Sequence, residues 1–126
     1  MNRPQELQLQ RLQLSAFNNM DGSIVAHDLV ENQRLRDSFV FGRFEFDLLI
    51  ELRDLPQGII NADTVYLLTT KDRLAGLLGL IERWKANEVG WQTADQQEGA
   101  FPDKTIFDLL GTFPEPKDVL VRVWWD

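Results

Sequence analysis

The stretch FVFGRFEFDLLIEL, Phe39 to Leu52, decides the reading of the fold. Phe44, Phe46, Leu48, Ile50 and Leu52 fall on one face of an extended chain, and Arg43, Glu45, Asp47 and Glu51 fall on the other. A period of two with one apolar face is the pattern of a half-buried strand in an antiparallel sheet. Pro56-Gln57-Gly58 then ends the run with turn chemistry.

Working outward, Val65 to Thr69 is short and β-branched enough for the next strand. After Thr70, the residues Leu74, Leu77, Leu78, Ile81 and Trp84 recur at i, i+3, i+4 and i+7, which predicts the main amphipathic helix. Upstream, Leu7, Leu9, Leu12, Leu14 and Ala16 alternate with one slip, so residues 7–17 are expected as a strand with a β-bulge. The cluster Asn18 to Gly22 is expected to turn that strand into a second one over Ile24 to Val30. Downstream, residues 88–99 read as polar and irregular. A short helix starts near Pro102-Asp103 and carries Ile106, Phe107, Leu109 and Leu110, and Gly111 is placed to stop it. Val119 to Trp125 has the β-branched and aromatic content of a final strand. Strands gathered before the first helix predict an α+β fold. The expectation is one globular domain over 1–126, two layers thick, with a mostly antiparallel sheet of about five strands and one long and one short helix on one face.

Composition narrows the function classes. The 126 residues are 44% hydrophobic, enough apolar side chain for a core at single-domain length. Thirteen basic against 20 acidic side chains leave a net charge of −7, the wrong sign for neutralising phosphates, so neither nucleic acid nor an anionic membrane is expected. Without cysteine there is no disulfide framework, thiolate metal site or cysteine nucleophile. The start of the chain lacks the continuous apolar run of an export signal, and a cytoplasmic location is the expectation. The charge is uneven. Residues 41–70 hold two basic against five acidic side chains and residues 95–126 hold three against seven, while 71–94 hold four against three.

Catalytic equipment is thin. His27 is the single histidine, so a site with two imidazoles is excluded, and Ala26 and Asp28 beside it form no signature. Glu45, Asp47 and Glu51 would share one strand face, yet Arg43 interrupts the row and no glycine-punctuated cation loop surrounds it. A solvated face is the ordinary meaning of such a row, and binding of a basic partner is the functional one. Gly76 and Gly79, three apart inside the predicted helix, cost roughly 1 kcal/mol each against alanine and imply a close approach of this helix to the sheet or to another chain. Four tryptophans remain to be placed. Trp84 belongs to the apolar helix face, Trp91 follows Gly90 in a polar stretch, and alternation puts Arg122 and Trp124 opposite Val119, Val121, Val123 and Trp125. Tryptophan and arginine are the types enriched at interface hot spots.

These observations favour a non-enzymatic protein-interaction module, an adaptor or assembly factor for a larger complex. It would bind a partner's flexible tail or basic surface through a sheet edge or through Trp91, Arg122, Trp124, Glu45 and Asp47. No cofactor or metal is expected, and composition sets no oligomeric state. Two alternatives stand beside this reading. One is an acidic inhibitor or immunity protein that masks a basic enzyme, and the other is a small-ligand binder or carboxylate enzyme using Tyr66 or His27.

Overall fold

In the computed structural model, residues 1–17, 19–42, 55–57, 62–95, 101–112 and 114–126 are described. The chain opens on helix α1 (Arg3–Gln13), followed by two-residue strands β1 (Ala16–Phe17) and β2 (Met20–Asp21), and helix α2 (Gly22–Glu31). Strand β3 (Ser38–Gly42) and strand β4 (Thr64–Thr70) come next, then helix α3 (Leu74–Ile81). Strand β5 (Glu88–Thr93), helix α4 (Asp103–Leu110) and strand β6 (Asp118–Trp124) complete the order. The main sheet runs β3-β4-β6-β5 and every pair in it is antiparallel.

The α+β class and the antiparallel sheet agree with the sequence reading, as do β4, α4 and β6. The expected strands over 7–17 and 24–30 are instead α1 and α2. Asn2 caps α1, its side chain accepting from the Gln5 N–H, and Pro4 sits in the first turn where a missing N–H costs nothing. Asp21 caps α2 by accepting from the Ser23 and Ile24 N–H groups. Between the two helices a small β1–β2 ladder pairs Ala16 with Asp21 and Phe17 with Met20, so Met20 and Asp21, expected within the turn, are strand and Gly22 opens α2. The single long helix is also corrected. Helix α3 spans only eight residues, with a 3-10 turn Glu82–Trp84 behind it, and the described helices number four. The residues 88–99 expected as irregular contain β5. The stretch 43–54, with most of the long strand expected over Phe39 to Leu52, lies outside the described residues.

The helices cover both faces of the sheet, where one face was expected. Leu12, Val25, Leu29, Leu77, Ile81 and Trp84 pack with Phe39, Phe41, Val65, Leu67, Val119, Val121, Val123 and Trp125 into the main core. On the opposite face Phe101 and Ile106 pack on Tyr66 and Leu120, with Val40, Leu68, Leu109 and Leu110 at the margin. Strands β4 and β6 therefore bury consecutive residues: Val65, Tyr66 and Leu67 in one, Val119 through Val123 in the other. Continuous burial of this kind is the mark of a strand covered on both sides.

Polar contacts tie the layers together. Arg36, buried between α2 and β3, donates from Nη2 to the Leu29 carbonyl at 2.9 Å and lies over the Phe39 ring at 4.8 Å. Burial lowers its pKa from the ordinary arginine value. Trp125 donates its indole N–H to the Trp84 carbonyl at 2.8 Å, and Trp84 donates its own to the buried Asp28 carboxylate at 2.8 Å. Arg83 reaches the same carboxylate at 3.4 Å. Lys85, which follows Trp84, takes the left-handed conformation at φ 56° and turns the chain toward β5.

Candidate interaction site

Among the described strands, the two ends of the sheet order are β3 and β5, so β6, the last strand, is central and its ladder is filled on both sides. An edge on this side of the sheet is therefore offered by β5 and not by the C-terminal strand. Glu88 lies opposite Trp124, Val89 opposite Val123, Gly90 opposite Arg122, Trp91 opposite Val121 and Gln92 opposite Leu120. Directly opposed residues share a face, so Val89 and Trp91 stand on the main-core side, and Glu88, Gly90 and Gln92 on the side of α4. Val89 packs against the main core. Trp91 is 41% exposed although Val121 opposite it is fully buried.

The far face of β5 is built differently. Gln92 is buried and its Oε1 accepts the Phe101 N–H at 2.8 Å, fixing the chain that leads into α4. Arg122 places its guanidinium over the Phe101 ring at 5.0 Å and its Nη2 3.5 Å from Glu88 Oε1. It is 9% exposed. Arg122 and Trp124 do share a face, as alternation predicted, but that face is roofed by Phe101. Arg122 is a covered residue where an exposed anchor was expected. Trp124 is half-buried, with its carbonyl accepting the Asn87 N–H at 2.9 Å. Of the predicted tryptophan and arginine set, only Trp91 reaches the class of exposed large apolar residues. Glu45 and Asp47 lie outside the described residues.

Groups with catalytic potential do not converge among the described residues. His27 is exposed on α2, while Tyr66 is buried under Phe101 at a ring separation of 6.5 Å. No group of three histidine or carboxylate side chains fit for a metal occurs among the described residues. The carboxylates with displaced pKa values among the described residues are displaced downward: the Thr93 hydroxyl lowers Asp95 and the Thr70 hydroxyl lowers Asp72, and both are exposed. A general acid needs the opposite shift.

The two inner glycines of α3 do not mark a close approach to the sheet. A Cβ on Gly79 would meet nothing within 4 Å, and one on Gly76 would meet only the end of the Leu35 side chain at 3.0 Å. Among the described residues, Gly22 marks a close approach of a different kind, to the end of α1, where a Cβ would stand 1.9 Å from the Leu12 carbonyl oxygen. The signal for it was local: Gly22 directly follows the helix-capping Asp21. No helix among the described residues is long and apolar enough to cross a membrane. No protein-family model, curated protein or solved structure matches the chain.

Proposed function

We propose that this protein is a non-enzymatic interaction module that takes an extended, basic segment of a protein partner along the outer edge of β5, with Trp91 as the apolar anchor. The observation that carries the reading is the position of Trp91. It is a large aromatic left 41% exposed on a strand with no further strand beyond it among the described residues. An edge strand offers backbone donors and acceptors to an incoming chain, and side chains beside it supply selectivity. Glu88, 56% exposed on the same strand, and the net charge of −7 favour lysine or arginine in the segment.

The experiment is selection of a displayed random-peptide library on the immobilised protein, with fluorescence-polarisation titration of the selected peptide. Trp91→Ala is expected to weaken binding by roughly 30-fold, the loss of about 2 kcal/mol at a hot spot. Binding that is indifferent to Trp91→Ala and collapses with added salt would refute the edge reading and favour charge masking of a basic enzyme.

A further inference from the structure

The opposite edge of the sheet is not open, and side chains close it. Strand β3 has no strand beyond it among the described residues, yet the outward backbone groups of Phe39 are both bonded. Gln5 Nε2 donates to the Phe39 carbonyl at 2.8 Å, and Gln5 Oε1 accepts the Phe39 N–H at 2.9 Å. Gln8 Oε1 accepts the Phe41 N–H at 3.1 Å. One primary amide that both gives to and takes from a single residue reproduces the two-bond exchange of a hydrogen-bonded antiparallel pair. Helix α1 thus occupies, with side chains, the place of a neighbouring strand.

Beside these bonds runs a groove of about 340 Å³, whose lining includes Gln5 and Ser38 together with Val40, Leu68, Leu110 and Leu120. It lies on the α4 face of the sheet, the face of Val40, whereas Phe39 and Phe41 point into the main core. We propose that the amino-terminal half of α1 is a displaceable cover, and that the β3 edge beneath it takes an extended peptide with apolar side chains at alternate positions. This site is separate from the β5 edge.

The register follows from the bonds. The peptide residue opposite Phe39 takes over both bonds now made by Gln5, and the residues on either side of it then project onto the face of Ser38 and Val40, over the groove. Exchange of side-chain amide bonds for main-chain amide bonds is nearly neutral in itself. The gain is burial of the alternate apolar side chains. The cover is lightly held, because the fully buried residue of α1 is Leu12 in its last turn, while Pro4 and Leu7 are exposed and Leu9 is only partly buried. The excess of acidic side chains over the whole chain favours a peptide with basic ends.

The test is an NMR titration of the ¹⁵N-labelled full chain with a short synthetic peptide that alternates valine and threonine between terminal lysines. The double variant Gln5→Ala, Gln8→Ala, with its edge already uncovered, is expected to bind at least about tenfold more tightly than wild type. The amide shifts should centre on Phe39, Val40 and Phe41. Gln5→Glu keeps the acceptor for the Phe39 N–H and loses the donor, so it should fall between the two, and it carries the same test where the double variant does not fold. Equal affinities in folded wild type and variant, or shifts confined to Glu88–Thr93, overturn the proposal. The second of those results would leave the β5 reading standing.

Discussion

Replacing Gly22 with alanine should destabilise the protein, against the sign that helix propensity gives. Gly22 is the first residue of α2, and its N–H donates to the Ser15 carbonyl at 3.0 Å. The carbonyl oxygens of Leu12 and Ser15 would lie 1.9 and 2.4 Å from an added Cβ. Both are backbone atoms, so no rotamer change relieves the clash. The end of α1 would have to retreat by about 1.5 Å before the shorter contact reached an ordinary 3.4 Å. Overpacking of this kind costs about 1–3 kcal/mol, and separating the segments also threatens the Gly22–Ser15 bond, worth about 1 kcal/mol. The expected loss is about 2–4 kcal/mol, a large part of a typical domain's 5–15 kcal/mol. Propensity alone predicts a gain of up to about 1 kcal/mol. Equilibrium urea unfolding followed by tryptophan fluorescence reads the difference, since Trp84 and Trp125 are buried in the main core. Gly79→Ala is the matched control: its Cβ meets nothing within 4 Å, so it should gain about 0.5–1 kcal/mol. A Gly22→Ala protein as stable as wild type refutes the close approach of α1 and α2.

Two further outcomes follow from the polar contacts. Asp28→Ala strands the buried Trp84 indole N–H and should cost about 1–3 kcal/mol in urea unfolding, while Asp28→Asn keeps an acceptor and should cost less; equal losses would show that the bond to Trp84 carries no weight. Thr93→Val removes the main cause of the lowered Asp95 pKa, so the Asp95 carboxyl carbon should titrate closer to the ordinary 3.8. Because a depressed carboxylate stabilises above its unfolded pKa and loses that contribution as pH falls through its folded one, the variant should also show a weaker pH dependence below about pH 4. An unchanged Asp95 titration in Thr93→Val would remove the hydroxyl as the cause.

Where the sequence reading succeeded, the local pattern and the tertiary role agreed. Gly111 ends α4 in the left-handed conformation at φ 70°, as a glycine after a short amphipathic run should. Val119 to Trp125 held enough β-branched and aromatic side chains to be a strand in any context. Helix α2 was missed because a turn cluster precedes it, although Gly22, Val25, Ala26 and Leu29 bury at i, i+3, i+4 and i+7. Covering of both sheet faces was legible in the unbroken apolar run Val119-Leu120-Val121, which an alternating strand would not contain. At the candidate site, exposure of Trp91 followed from its polar surroundings. The covering of Arg122 did not, because Phe101 reaches it only through the α4 connection.

The failures at α1 and β5 have one physical cause. The inward face of α1 is Gln5, Gln8, Leu9 and Leu12, which is the helical i, i+3, i+4, i+7 set with glutamine at half its positions. In β5 the inward residue on the α4 face is Gln92. A search for apolar periodicity scores each of these glutamines as solvent-facing, and so reads the remaining leucines of α1 as an alternating strand and β5 as a loop. Yet all three glutamines bond backbone that secondary structure leaves open: two the outer edge of β3, one the segment entering α4. Buried or edge-lying backbone must find partners, and a glutamine amide, with donor and acceptor on a flexible stem, meets that need without a strand. Glutamine at the interior positions of an otherwise apolar period therefore indicates an unpaired main chain nearby. In this protein it also locates the sheet edge that a partner's backbone would have to take over.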